Sequence, residues 1–281
     1  MKKDFLICID SDGCVFDTME IKHKECFCPA YIQHFGLQPV ARYAREAWEF
    51  ANLYSAWRGV NRFPVLLKSL ELLAEHPKAL ARGFVPPQLP SLRQYVASGQ
   101  PLNDKGIETW LQTHPEDTEL QKVLAWSRDV NRRVGELVHG VPPFPHVRRW
   151  LTALVEVADV VIVSATQTLA LEREWSENGL LSLVTAVKGQ EAGTKKQVLA
   201  RLKQDYPAGH GLMLGDAPGD REAAQAAGML FYPICPEEEA QSWESFGQAL
   251  QQFLVGSYRQ EAPVERFLSL LPTVPPWGKR D

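Results

Sequence analysis

The stretch Phe5-Leu6-Ile7-Cys8-Ile9 carries no charge and runs straight into Asp10-Ser11-Asp12-Gly13. An apolar run of this length, without polar alternation, predicts a strand buried on both faces, as in a parallel sheet covered by helices. Residues two apart in a strand share a face, so at the strand's carboxyl end Asp10 and Asp12 can point into one crevice. Two like charges this close repel and call for a cation. A hard, oxygen-seeking ion such as Mg2+ suits them. An isolated Asp-x-Asp-Gly is more often a plain polar turn. An EF-hand calcium loop is a poor fit, because Gly13 falls too early and a strand leads in instead of a helix. The choice depends on whether the chain supplies partners for the pair.

After Asp17 the pattern becomes helical. Apolar residues recur at three- and four-residue spacing through residues 26–35, 42–56, 62–75 and 119–137. Gly36, Gly59, His76-Pro77 and the run Val85-Pro86-Pro87-Gln88-Leu89-Pro90 break them. No strand, repeat or low-complexity tract interrupts this block, which reads as an all-helical insertion over residues 18–142. Gly140-Val141-Pro142-Pro143-Phe144-Pro145 reads as a stiff return linker. Helix and strand then alternate. Strands are expected at 159–163, 183–187, 211–214 and 230–235, with helices at 147–157, 171–178, 195–204 and 221–227 and a helical end over 242–271. The expected fold is α/β, a Rossmann-like parallel sheet core from residues 1–17 and 143–281 with ligands at the strands' carboxyl ends.

With 281 residues the chain has room for a core and a second domain. A hydrophobic share of 45%, a charged share of 23% and a net charge of -4 describe an ordinary soluble globular protein. That balance makes no electrostatic case for nucleic acid or an anionic membrane. No uncharged stretch approaches the roughly 20 residues of a membrane span. Met1-Lys2-Lys3-Asp4 enters the first strand directly and leaves no room for a signal peptide. The five cysteines match no zinc ribbon or Cys-x-x-Cys pattern, which predicts a reduced, cytoplasmic setting. Cys26-Phe27-Cys28 reads as helix packing.

Polar residues gather where strands stop: Asp10 and Asp12 after the first, Ser164 after the second, Asp216 and Asp220 after the fourth. Lys195 opens the helix after the third. Singly, each has a plain explanation as a cap or a solvated side chain. Together they supply carboxylates for a metal, a hydroxyl, an ammonium and a nucleophile, an inventory suited to phosphoryl transfer.

On these four motifs, in this order, the chain resembles the haloacid dehalogenase superfamily of phosphotransferases with a helical cap inserted after the first strand. The resemblance covers residues 4–17 and about 143–235. Asp10-Ser11-Asp12-Gly13-Cys14 matches the family's Asp-x-Asp-Gly-Thr, with cysteine in the threonine's place. It implies that Asp10 is the nucleophile and Asp12 the acid and then the base. Ser164 would bond the transferring phosphoryl group and Lys195 would neutralise it. Lys196 and Lys188 are rivals for that lysine; Lys195 is preferred for its distance to Val198 and Leu199. Mg2+ would be held by Asp10, the backbone carbonyl of Asp12 and Asp216, with Asp220 in support. An aspartate at position 12 sets the chain apart from the dehalogenases proper and the phosphonoacetaldehyde hydrolases.

The segment Trp57-Arg58-Gly59-Val60-Asn61-Arg62 is similar to the Lys-Gly-x-Ser-Arg cap segment of the β-phosphoglucomutase and phosphoglycolate phosphatase-like group. That implies Arg62, Arg58 and Asn61 at the substrate, with an anionic group in the arginines' forks. The alternative is solvated arginines at a helix start capped by Asn61. Asp17-Thr18-Met19-Glu20 resembles the group's hinge, and His23 stands one residue from its gating histidine; the alternative is a packed helix residue. The residues around 77–118 go beyond the usual cap and have no assigned role. The leading expectation is a Mg2+-dependent phosphatase for a small phosphorylated metabolite. A phosphomutase, suggested by residues 58–62 and by Ser164-Ala165, is the runner-up. A non-catalytic binding protein is the third reading, and oligomeric state stays open.

Overall fold

The computed structural model describes residues 2–278, so expectations for Met1 and for residues 279–281 lie outside the described residues. The first strand, β1 (Phe5–Ile9), leads into α1 (Thr18–Ile21), a π-helical stretch at Lys22–Phe27 and α2 (Cys28–His34). Six further helices follow: α3 (Ala41–Asn52), α4 (Arg62–Ala74), α5 (Pro77–Leu80), α6 (Pro90–Ala97), α7 (Asp104–Thr113) and α8 (Thr118–Leu137). Three of them start on Asn or Asp side-chain caps. Asn61 accepts from the Phe63 N–H, Asn103 from that of Gly106 and Asp117 from that of Leu120, each filling a backbone donor that the helix leaves open.

The chain then alternates: α9 (Val147–Val157), β2 (Ala158–Val163), α10 (Thr168–Glu177), β3 (Ala186–Lys188), α11 (Lys195–Lys203), β4 (Gly211–Gly215), α12 (Pro218–Ala226) and β5 (Leu230–Pro233). Helices α13 (Glu239–Leu254) and α14 (Glu261–Ser269) close the series. All strand pairs are parallel, in the order β3-β2-β1-β4-β5. The third strand differs from expectation. Leu181–Leu183 is a 3-10 turn, and pairing begins only at Ala186, opposite Val161. A β-branched run does not fix an edge strand; its partner's register does.

The chain forms two compact units, Met1–Met19 with His139–Leu271, and Glu20–Val138 with the segment from Pro272. The final segment is a correction, since it was expected in the sheet unit. Trp277 instead packs on Phe50 (5.8 Å) and His76 (4.7 Å), and the Ala56 N–H donates to the Pro272 carbonyl.

In the sheet unit β1 is central, and its side chains alternate between two cores. Ile7 and Ile9 pack with Leu151, Ile162, Trp243 and Phe246; Leu6 and Cys8 pack with Val161, Met213, Phe231 and Phe267. Burial on both faces is why the run holds no polar residue. The helical unit has its own core of Trp48, Trp126, Tyr31 and Phe63, with Trp48 and Trp126 edge to face at 6.1 Å. No described helix is long and apolar enough to cross a membrane.

Ile7 is 0% exposed in the middle of the central strand. Ile7→Ala should therefore lower unfolding stability by about 2–5 kcal/mol, read as a lower urea midpoint at unchanged slope. A loss well under that range would mean that β1 is not the packed centre of the sheet.

Candidate active site

The turn after β1 is fixed from several sides. The Asp10 N–H donates to the Leu214 carbonyl (3.0 Å), extending the pairing of β1 with β4. Gly13, at φ 72°, takes the left-handed conformation that sends the chain back, so that its N–H meets the Phe16 carbonyl at 2.8 Å. Two indoles then pin the loop. Trp243 Nε1 donates to the Cys14 carbonyl (2.7 Å) and Trp175 Nε1 to Ser11 Oγ (3.0 Å). Ser11 in turn donates to Glu174 Oε2 (3.1 Å). Cys14 is fully buried, and burial, with Asp216 next, pushes its thiol well above the usual range. It is a neutral spacer in the loop.

Asp10 and Asp12 are held by different partners. Asp10 Oδ1 accepts from the Ser11 N–H (2.8 Å), and Oδ2 accepts from the Lys195 ammonium. Lys195 is the first residue of α11, whose start is set by a capping box. Thr194 Oγ1 accepts from the Gln197 N–H (3.2 Å), and Gln197 Oε1 accepts from the Thr194 N–H (3.0 Å). The same ammonium donates to Asp220 Oδ1 (2.5 Å), while Asp220 Oδ2 accepts from the Ala217 N–H (3.2 Å) at the head of α12. Asp220 can come this close because Gly215 has no side chain; a Cβ there would lie 2.5 Å from Asp220 Oδ2.

Asp10, Asp216 and Asp220 are all buried, and each offers an oxygen within 4.8 Å of the others'. Two of the three, Asp10 and Asp220, share one ammonium. Burial, opposed by Lys195 and reinforced by Asp220, raises the Asp10 carboxyl to about 6. Burial, opposed by Lys195 and reinforced by Asp216, raises Asp220 as well. Burial alone would lower Lys195, but the Asp10 and Asp220 carboxylates reverse that and keep it protonated. A divalent cation among the three oxygens would supply the missing positive charge, so the donor set fits a hard metal ion.

Two hydroxyls hold the Asp12 carboxylate. Thr18 Oγ1 donates to its Oδ1 (2.5 Å), and Thr166 Oγ1 donates to its Oδ2 (2.8 Å). Ser164 ends β2 as a buried residue whose N–H donates to the Lys188 carbonyl (3.1 Å). Its Oγ accepts from the Thr166 N–H (3.3 Å). Ala165 between them is exposed. Of the rival lysines, Lys196 is exposed and Lys188 lies in β3, while Lys195 reaches Asp10. Sequence reasoning missed the two threonines. Both follow an identified element, but a hydroxyl there reads as a helix cap, and nothing local says that it reaches Asp12.

The other expected residues lie in the helical unit. Asn61 caps α4, and its Nδ2 donates to the Leu102 carbonyl (2.9 Å). Arg58 is buried and donates to the Leu53 carbonyl (2.9 Å). Arg62 and His23 meet at one ring: the Arg62 guanidinium sits 5.0 Å from the Phe27 centroid, and His23 stacks on Phe27 at 4.8 Å. Arg62 Nη1 donates to Asn131 Oδ1 (2.7 Å) and Ser127 Oγ (3.0 Å).

No protein-family model matches the chain, and no curated protein matches it in sequence. Solved structures do. A predicted phosphoglycolate phosphatase from Haemophilus somnus 129PT is 15% identical over 89% of this chain and 100% of its own, with a TM-score of 0.52. A haloacid dehalogenase-like family hydrolase from Xanthomonas campestris is 15% identical over 93% and 98%, with a TM-score of 0.49. A HAD family hydrolase from Deinococcus radiodurans R1 is 13% identical over 92% and 100%, also with a TM-score of 0.49. Likeness at this identity speaks for the fold alone. The α/β fold with a parallel sheet and a helical insertion, expected from the motifs, is the fold observed.

A carboxyl raised to about 6 ionises in the unfolded chain before it does in the folded one. Its cost to the metal-free fold therefore sets in as pH rises from the ordinary carboxylate range and is complete above about 6. A bound cation removes that cost. Added Mg2+ should raise the melting temperature at pH 7.5, and the gain should vanish by pH 5. An equal gain at both values would contradict the cluster as the binding site.

Proposed function

We propose that this haloacid dehalogenase-like chain is a Mg2+-dependent phosphatase that hydrolyses a small phosphorylated metabolite through an aspartyl phosphate on Asp10. The carrying observation is the separation of the two carboxylates. Asp10 is held by an ammonium that leaves it a charged nucleophile, and Asp12 by two hydroxyls that aim it. Bound at Asp10, Asp216 and Asp220, Mg2+ would screen the substrate's negative charge from the nucleophile.

In the first step a carboxylate oxygen of Asp10 forms a bond to phosphorus as the bond to the ester oxygen breaks. Asp12 gives that leaving oxygen a proton. In the second, Asp12 takes a proton from water as the water oxygen attacks phosphorus, which releases inorganic phosphate and returns Asp10. The Ser164 hydroxyl accepts from Thr166, so its hydrogen is left for a phosphoryl oxygen. Lys195 balances the phosphoryl charge and fixes Asp10 Oδ2. In the helical unit we assign Arg62 to an anionic group of the substrate, with Arg58, Asn61 and His23 as its neighbours in sequence and packing. Five free, buried cysteines support a reduced, cytoplasmic setting. Nothing in the charge balance supports a nucleic-acid or membrane substrate.

With p-nitrophenyl phosphate and Mg2+, Asp10→Asn should drop turnover to background while its melting curve stays cooperative. Retained turnover would sink the assignment. Thr166→Val removes one hydroxyl from Asp12 at nearly constant volume. It should lower kcat by about ten- to a hundredfold, part of the 100- to 10,000-fold that general acid–base catalysis contributes. An unchanged kcat would show that the two-threonine grip on Asp12 has no part in proton transfer.

A further inference from the structure

Arg62 is anchored through one terminal nitrogen. Nη1 donates to Asn131 Oδ1 (2.7 Å), Ser127 Oγ (3.0 Å) and the Ser127 carbonyl (3.3 Å). Among the described residues no hydrogen bond reaches its Nε or Nη2. That edge of the guanidinium is a fork matching two oxygens of a carboxylate or phosphate, and the group lies over Phe27, 5.0 Å from the ring centroid. What orders the anchor lies one residue further away. Asp104, which opens α7, accepts from Ser127 Oγ at 2.5 Å through Oδ1 and from Asn131 Nδ2 at 3.0 Å through Oδ2. An amide can face a carboxylate only with its nitrogen, so Asp104 obliges Asn131 to turn its oxygen to Arg62. A serine that gives its hydrogen to Asp104 has only lone pairs left for Arg62.

We propose that Asp104 is a positioning residue, aligning Ser127 and Asn131 so that Arg62 presents its Nε–Nη2 edge to a bidentate carboxylate or phosphoryl group. This rests on the assignment of Arg62 to an anionic substrate group. It gives a task to the 77–118 segment, which no motif explained. It also shows how α7 and α8 shape the specificity of a residue on α4.

The test is a titration of the full chain, labelled with 15N-arginine, with inorganic phosphate and no divalent metal. The Arg62 Nε resonance is assigned by its loss in Arg62→Lys. In the native protein it should shift saturably. Asp104→Asn sets an amide nitrogen against that of Asn131 and turns the latter's oxygen away. Affinity should weaken by about tenfold, the size of one charge-assisted hydrogen bond. Combining it with Asn131→Asp restores an acceptor facing both the new amide and Arg62, and should recover most of the loss. If Asp104→Asn does not fold, Ser127→Ala, which removes one acceptor, should weaken binding several-fold. No saturable shift in the native protein overturns the proposal. So does native affinity in a folded Asp104→Asn or Ser127→Ala, or a folded double variant no better than the single. The readout needs no turnover, so a protein that binds phosphate at Arg62 yet hydrolyses no ester would refute the phosphatase reading alone.

Discussion

One ammonium ties together the ends of three strands. Lys195, at the head of the helix after β3, bonds Asp10 at the end of β1 and Asp220 just beyond β4. Its partners lie 185 and 25 residues away along the chain, so the contact exists only once the parallel sheet has formed. Asp216 is buried beside the pair, with a carboxylate oxygen within 4.8 Å of theirs. Removing one member of a buried ion pair commonly costs about 3–5 kcal/mol, since the remaining charge is left uncompensated. Three buried carboxylates gathered this closely form a donor set that could hold a metal ion.

The second constraint is that Asp10 and Asp12, two residues apart, have to behave differently. The sequence makes them look alike; their surroundings do not. Asp10 meets a backbone N–H and an ammonium, Asp12 two threonine hydroxyls. The loop between them is kept rigid by Trp175 on Ser11 and Trp243 on the Cys14 carbonyl. Two large buried indoles from α10 and α13 thus support a site to which they contribute no reacting atom. Under the proposed mechanism, geometry held by packing in this way is what preorganisation requires.

Much of this could be read from the chain alone. The uncharged run with no alternation predicts a strand covered on both sides, and β1 is at the centre of the sheet. Asp10, Asp12, Ser164 and Asp216 follow strand ends, and Lys195 and Asp220 lie at the starts of the helices after β3 and β4, the side of a parallel sheet where ligands commonly bind. Other features depended on contacts that no local pattern encodes. The start of β3 followed the register of β2 and not the β-branched run before it. The segment from Pro272 joined the helical unit because Trp277 found Phe50 and His76. Thr18 and Thr166 carried no local sign of the contacts to Asp12 that the fold gives them. Arg62 was visible as a cation; that Asp104, Ser127 and Asn131 hold it was not.

The central claim is that Asp10 carries the phosphoryl group. Rapid acid quench during turnover of p-nitrophenyl phosphate, followed by borohydride reduction and peptide mass spectrometry, tests it directly. An acyl phosphate at position 10 would be reduced to homoserine there, with Asp12 unchanged. A modified Asp12 or Ser164, or steady turnover with no covalent intermediate under any quench condition, would contradict the account.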